Sequence, residues 1–387
     1  MEYPFAREPG FTPPEEFARL REQCPVSGVR LRHGQDAHLL TRYADVRAVL
    51  RDHGRFSSDP SSPGFPQLRP VVDRKAAPGS FLVLDPPEHT RFRRMVTREF
   101  TVRRMTALEP AVDRIVTERL DAMLAEVEPD LVTSFALALP SDVICLLLGV
   151  PARDQEFFAT RSRAHLDRSL SADKVAEALA ELNAYLADLV RSRRADPRDD
   201  LVGRLLRDFP DLTDEEAVGV TVLLLVGGHE TTANTIALSV LALQGDPWRE
   251  LVANPALVDG AVEELLRYLS PVHNGVVRAV TGEATLSDHD LRPGDGVIAS
   301  LYAANHDPEA FPDPGTLDVH RDARDHLAFG GGVHHCVGRL LARLELRAAL
   351  TALVTRVPTL RTTATPAEAA FRFDAPIYGL RELRVTW

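Results

Sequence analysis

Apolar residues recur at steps of three and four over long stretches of this chain, the period of one face of an α-helix. Val112, Ile115, Val116, Leu120, Met123 and Leu124 form one such stripe, with Pro110 where a helix would start. Val175, Leu179, Leu182, Leu186 and Leu189 form a second, too short for a coiled-coil seam and suited to core or to the lid of a pocket. The longest apolar run, Ala217 to Gly228, falls short of the ~20 residues that a membrane span needs. Strand-like segments are few: Val276 to Val280, Gly296 to Ser300 and Leu383 to Trp387. Asp59 to Ser80, rich in Pro, Ser and Gly, and the charged turn Arg193 to Asp200 read as irregular. The pattern predicts a mainly α protein with small β-sheets and no internal repeat. At 387 residues, one large or two medium domains are both open.

Composition narrows the function. With 44% hydrophobic and 26% charged residues the chain is of ordinary soluble, globular type. A net charge of −11 argues against a general nucleic-acid binder. Cys24, Cys145 and Cys336 are too few and too scattered for a disulfide framework, which favours a reducing, cytoplasmic setting. The charged N-terminus, Met1 to Glu8, carries no apolar signal segment or membrane anchor.

The chemistry concentrates in Phe329-Gly330-Gly331-Gly332-Val333-His334-His335-Cys336-Val337-Gly338, followed by a helical stretch, Arg339 to Leu346. Glycines admit backbone conformations closed to other residues and let the main chain lie close to a flat ligand. A cysteine at a helix start feels the positive end of the dipole, which favours its thiolate. A thiolate held against a planar cofactor is how a protein gives haem iron a cysteine axial ligand. The bland alternative is a buried structural cysteine beside a Gly-rich turn. His335 beside Cys336 has no second Cys/His pair at zinc spacing.

The spacing of this loop resembles the haem-binding signature of the cytochrome P450 family, Phe-x-x-Gly-x-x-x-Cys-x-Gly, with Phe329, Gly332, Cys336 and Gly338 in the fixed places. Three further motifs agree in order. Gly227-Gly228-His229-Glu230-Thr231-Thr232 sits in the apolar helical run, where glycines and threonines are poor helix formers. The Thr231 hydroxyl can compete for the Gly227 carbonyl and open the helix locally. A zinc-protease reading fails because Ala233 stands where a second histidine would be needed. The stretch resembles the family's oxygen-binding motif, Ala/Gly-Gly-x-Asp/Glu-Thr, which implies that Glu230 and Thr231 organise proton delivery. Glu264 and Arg267, three apart on one helix face, are alone a common surface pair. In the family they join an arginine, here Arg321, in a buried structural network. His89 and Arg93, with Arg278 and His334, match the family's places for the haem propionates, and cationic donors suit carboxylates. Each alone would more often be a solvated surface charge.

The resemblance implies one domain, 1–387, shaped like a triangular prism, with haem b between the oxygen-binding helix and the cysteine loop. Cys336 would be the axial ligand, and Phe329, Gly330 and Gly338 would bed the cofactor. The expected activity is insertion of one atom of O2 into a C–H bond or alkene of a hydrophobic small molecule. Oxidative coupling and non-catalytic haem binding are the rival readings. No dinucleotide fingerprint is present, so electrons from NAD(P)H must arrive through a ferredoxin and its reductase. A basic stretch could receive that partner: Arg91, Arg93, Arg94, Arg98, Arg103 and Arg104 face one acid, Glu99, giving a local +5. A solvated helix face is its bland counterpart. Specificity is expected in the Asp59–Ser80 loop, the 155–190 region, Leu223, Val226, Gly227, Asn274, Val276, Val277, Ile377 and Tyr378. The type resembles tailoring enzymes of secondary metabolism, with a polyketide or macrolide as first expectation, and a cytoplasmic monomer.

Overall fold

The long helix Asp214–Ala242 runs through the centre of the molecule because its sequence is apolar on nearly every side. Its start is fixed by a capping box: the Thr213 hydroxyl accepts from the Glu216 N–H (3.2 Å) and the Glu216 carboxylate accepts from the Thr213 N–H (3.0 Å). Polar residues inside it are satisfied on their own backbone. Thr221, Thr231, Asn234, Thr235 and Ser239 each donate to the carbonyl four residues back, at 2.6–2.8 Å. This computed structural model describes all residues but 69–75, 167–169, 374 and 376.

Around the long helix pack the helices Ala138–Leu148, Ala172–Ala195, Val258–Leu269 and Arg339–Arg356. The Arg339–Arg356 helix also lies along Val102–Leu124. One continuous core results, running from Phe81 to Val385. Pro110 does not start a helix as its neighbours suggest; it lies inside Val102–Leu124. The start belongs to Thr101, whose hydroxyl accepts from the Arg104 N–H at 3.4 Å.

A six-stranded sheet forms beside the helices. Its members are β1 (Glu2–Tyr3), β2 (Val26–Leu31), β3 (Asp36–Leu40), β4 (Phe56–Ser57), β5 (Val276–Val280) and, after a hairpin of β6 (Ala284–Leu286) and β7 (His289–Leu291), β8 (Gly296–Ala299). The order is β1-β2-β3-β8-β5-β4, parallel at β1–β2 and β3–β8 and antiparallel elsewhere. Two of the three predicted strands are β5 and β8; of Leu383–Trp387, Val385–Thr386 forms β10 on β9 (Arg361–Thr362) and Arg384 makes a single bridge to Asp130. Strands β1 to β4 escape the apolar pattern because they are short or, like Val26–Leu31, interrupted by Ser and Gly.

The segment before Phe81 is seated on the long helix without side chains. A Cβ on Gly219 would lie 1.7 Å from the Pro78 carbonyl oxygen, and Gly79 (φ +78°) would place one 2.2 Å from the Glu216 carbonyl oxygen. Only glycine permits either approach. Among the described residues no helix is long and apolar enough to cross a membrane.

Candidate active site

Two left-handed glycines bend the Cys336 loop, Gly330 at φ +68° and Gly332 at φ +63°. A Cβ at Gly332 would sit 2.0 Å from the Leu50 carbonyl oxygen, so the loop leans on the helix Tyr43–Arg51. The Cys336 N–H donates to the Phe329 carbonyl (2.9 Å), and the helix Arg339–Arg356 begins three residues on. Burial pushes the Cys336 thiol up, while the Gly338 N–H and the Arg93, Arg339 and Arg343 guanidinium groups oppose the rise. A bound cation at sulfur would complete the balance in favour of thiolate.

Beside the loop, His89, Arg278 and His334 converge. The two imidazole rings lie 4.2 Å apart, and His334 Nε2 is 2.9 Å from the Ser58 hydroxyl. Both ring nitrogens of His89 are buried with no hydrogen-bond partner among the described residues. Among the described residues Arg278 donates to the carbonyl of Val277, at 2.7 Å, and to no carboxylate. Burial and the neighbouring arginines hold His89 down to about 4 and His334 down to about 3, and burial brings Arg278 down to about 10. Asp85 is the acid nearby, and its carboxylate is occupied by the Ser57 hydroxyl and the Ser58 N–H. The cluster therefore holds buried donors in want of anionic acceptors. Arg93 reaches the loop itself, donating to the His335 carbonyl. Cβ atoms at Gly227, Gly330 and Gly338 would meet nothing within 4 Å, and Gly227 is exposed although it lies mid-way along an apolar helix. A thiol donor, a glycine-lined cradle and a cluster wanting carboxylates fit haem with its two propionates.

Across the cradle the Thr231 hydroxyl donates to the Gly227 carbonyl at 2.8 Å. The helix nevertheless runs unbroken through this turn, where the sequence suggested a local opening. A carbonyl has two lone pairs, so Gly227 can accept the hydroxyl without losing its ladder bond. Glu230 is buried, with Oε1 2.8 Å from Arg372 Nη1.

Glu264, Arg267 and Arg321 do meet. Arg267 and Glu264 are both fully buried and form a bidentate pair at 2.7 Å, with Arg321 Nε 3.2 Å from Glu264 Oε1. Arg267 also donates to the carbonyls of Asn305 and Pro314 at 2.8 and 2.9 Å. Asn305, missed in the sequence, extends the network: its amide oxygen accepts from the Leu327 N–H and its NH2 donates to the Ser270 hydroxyl, both at 2.7 Å. The peptide leading into the Cys336 loop is thus tied to the end of the Glu264 helix.

Comparison with known proteins decides what this arrangement is. The family model for Cytochrome P450 matches residues 245–358. "Cytochrome P450-SU2" of Streptomyces griseolus is 44% identical and covers 99% of this chain and 96% of its own. The "Mycinamicin VIII C21 methyl hydroxylase" of Micromonospora griseorubida is 42% identical, covering 100% and 99%. The crystal structure of cytochrome P450 MoxA from Nonomuraea recticatena superposes with a TM-score of 0.93 at 40% identity, covering 100% and 98%. The chain belongs to the cytochrome P450 family. As a P450 it is a haem monooxygenase, using O2 and electrons from reduced nicotinamide delivered by redox partners.

In this P450 the candidate pocket residues divide. Leu223 and Val226 are half-buried and Gly227 exposed on the long helix; Asn274, Val276, Val277 and Ile377 are half-buried. Tyr378 does not join them. It is buried, stacked on Phe371 (5.0 Å) and His273 (4.4 Å), with its hydroxyl donating to the Gly10 carbonyl at 2.9 Å. Parts of the two variable regions, 69–75 and 167–169, lie outside the described residues.

The basic stretch is less free than its count suggests. Arg91 pairs with Glu216 (2.5 Å), Arg104 with Glu99 (3.4 Å), and Arg98 lies over the Phe209 ring (5.0 Å). Arg94 and Arg103 are exposed, with no ion pair among the described residues.

Proposed function

We propose that this P450 hydroxylates or epoxidises a hydrophobic secondary metabolite, a polyketide or macrolide, as a cytoplasmic monomer supplied by a ferredoxin and its reductase. The single observation that carries the reading is the cradle: Cys336 at a helix start, three glycines without neighbours, and a donor cluster wanting anions. Full-length similarity to a mycinamicin hydroxylase supports the substrate class and the reading of 1–387 as one catalytic domain.

When bound, the haem supplies activation of O2 and transfer of one oxygen atom, with cysteine ligation favouring O–O cleavage. Cys336 holds the cofactor through its thiolate, on a loop whose shape is set by Gly330, Gly332 and Gly338 and packed by Phe329. His89, Arg93, Arg278 and His334 bind and orient the two carboxylates. Thr231 keeps a hydroxyl on the cradle side of the long helix, where it hands on protons. Glu230 replenishes them after parting from Arg372. Glu264, Arg267 and Arg321 keep the loop rigid, which holds sulfur at one distance. Leu223, Val226, Gly227, Asn274, Val276, Val277 and Ile377 exclude water and orient the substrate. Apolar walls with one amide suit a large, sparsely oxygenated molecule.

The test is turnover with ferredoxin, reductase, NADPH and a panel of macrolactones. Expected is NADPH consumption with a product heavier by one oxygen atom. A product formed by coupling, with no added oxygen, would overturn the assignment.

A further inference from the structure

Arg7 stands outside the cradle, in the segment before the first helix, Glu15–Gln23, yet its guanidinium is packed between aromatic rings. Its central carbon lies 4.1 Å from the centre of the Tyr378 ring and 4.8 Å from that of Tyr302. Nη1 donates to His273 Nδ1, and Nη2 donates to the Tyr302 hydroxyl at 3.3 Å. The tautomer follows from the other side of the ring. His273 Nε2 is 2.9 Å from the Leu269 carbonyl, which only accepts, so Nε2 carries the proton and Nδ1 is left as an acceptor for arginine. His273 is itself stacked between Tyr302 (4.2 Å, 26°) and Tyr378 (4.4 Å, 19°). Among the described residues no carboxylate pairs with Arg7. The site is an aromatic cage whose cation comes from the chain's own N-terminal segment.

The cage joins two strips of chain that are far apart in sequence. One runs from Pro271 to Val277 and carries Asn274, Val276 and Val277; the other runs from Phe371 to Leu380 and carries Ile377. They are linked directly by a backbone bond, Tyr378 N–H to the Pro271 carbonyl (2.8 Å), and by the stack of His273 on Tyr378. The N-terminal segment binds both: Arg7 donates to His273 Nδ1 on the first strip, and the Gly10 carbonyl accepts from the Tyr378 hydroxyl on the second at 2.9 Å, while the Phe11 carbonyl accepts from the Tyr302 hydroxyl at 2.8 Å. Rings stacked face to face slide easily, so a cation seated over two of them and bonded to the third fixes their offset.

We propose that Arg7 is a positioning residue for substrate selectivity, a staple that sets the spacing of the two pocket-lining strips from outside the pocket. This rests on the reading of Asn274, Val276, Val277 and Ile377 as pocket walls. Losing the staple widens the range of spacings, which a small ligand ignores and a ligand spanning both strips does not.

The experiment uses the haem-loaded enzyme and two azoles that differ in bulk, imidazole and clotrimazole, titrated by the shift of the haem absorption. Arg7→Gln is expected to weaken clotrimazole at least fivefold and imidazole less than twofold, with an unchanged spectrum of the reduced carbon monoxide complex. In Arg7→Ala, millimolar N-ethylguanidine is expected to restore clotrimazole affinity, a rescue that general destabilisation would not give. Tyr378→Phe, which keeps the ring and loses the Gly10 bond, should shift clotrimazole in the same direction by a smaller factor. Equal losses for both azoles, or no change in either, would overturn the staple. Val276→Trp separates the two readings. If it blocks clotrimazole while Arg7→Gln does nothing, the staple alone falls. If it leaves clotrimazole unaffected, the pocket assignment falls and takes the staple with it.

Discussion

The buried Glu230 pairs with the half-buried Arg372, Oε1 to Nη1 at 2.8 Å, while the next residue, Thr231, turns its hydroxyl to Gly227. Acid and alcohol, adjacent in sequence, thus have different partners, and the acid is held by a residue of the strip that carries Ile377. Asn234 and Gly379 close the same contact, since a Cβ on Gly379 would lie 1.6 Å from the Asn234 amide oxygen. Removing one partner of a fully buried pair costs about 3–5 kcal/mol, and solvent at the half-buried Arg372 lowers that here. Arg372→Met is therefore expected to lower the unfolding midpoint and to reduce the fraction of NADPH converted to product. A variant with unchanged melting and coupling would show that Arg372 does not hold the acid.

Thr231→Ala removes a hydroxyl whose bond to Gly227 the helix does not need, because the ladder there is intact. Stability should change by less than about 1 kcal/mol, the scale of one hydrogen bond. Substrate binding and electron uptake should persist while much of the oxygen leaves as peroxide. Coupling equal to wild type would make the hydroxyl dispensable.

Cys336→Ser should abolish the red-shifted Soret band of the reduced carbon monoxide complex together with turnover. Cys145 is fully buried, with burial pushing its thiol up to about 12, and Cys24 lies outside the cradle, so neither can substitute. Persistence of the band in the serine variant would move the ligand elsewhere.

Electron delivery should depend on Arg94, and on Arg98 to a smaller extent because it is already stacked on Phe209. Arg94→Glu is expected to slow first-electron transfer from ferredoxin by an order of magnitude at low salt, with peroxide-driven turnover nearly normal. The wild-type rate should fall with salt as the Debye length shrinks from ~10 Å at 0.1 M to ~3 Å at 1 M. Rates indifferent to both would leave the arginines as a solvated face.

Glu345 is buried in the helix after Cys336, one oxygen having no partner, and burial holds its carboxyl well above the usual range. The unfolded chain ionises there above about pH 4.3 while the folded chain keeps the proton. The stability this group contributes is full below that pH and declines as pH rises towards the folded value, by about 1.4 kcal/mol per unit. Glu345→Gln should therefore gain on wild type from pH 5 to pH 8 in urea unfolding. A difference that is the same at every pH would exclude a proton held by Glu345.

Much of this was legible because glycines, cysteine and charged pairs act through local spacing. The Cys336 loop, the Glu264–Arg267 face and strands β5 and β8 are all encoded within about ten residues. What could not be read were choices made by distant packing. Nothing near Tyr378 indicates that its ring meets His273, and nothing near Glu230 indicates Arg372. Asn305 opens a stretch, Asn305-His306-Asp307-Pro308, that resembles bacterial members of the family, but the sequence gives it no role; that comes from standing between Ser270 and Leu327. Pro110 misleads because proline is common in the first turn of helices, whereas here a threonine nine residues earlier supplies the start.

The seat made by Gly79 and Gly219 consists of backbone alone. It gives the segment before Phe81 a fixed anchorage that is blind to the side chains preceding it. Apart from Gly64, where a Cβ would lie 1.9 Å from the Gly294 carbonyl oxygen, residues from Asp59 to Gln67 can then be exchanged for others of different size or polarity without renegotiating the hold on the long helix. Enzymes of this architecture can acquire new substrates there, at the cost of positions such as Gly79 and Gly219 that tolerate no side chain.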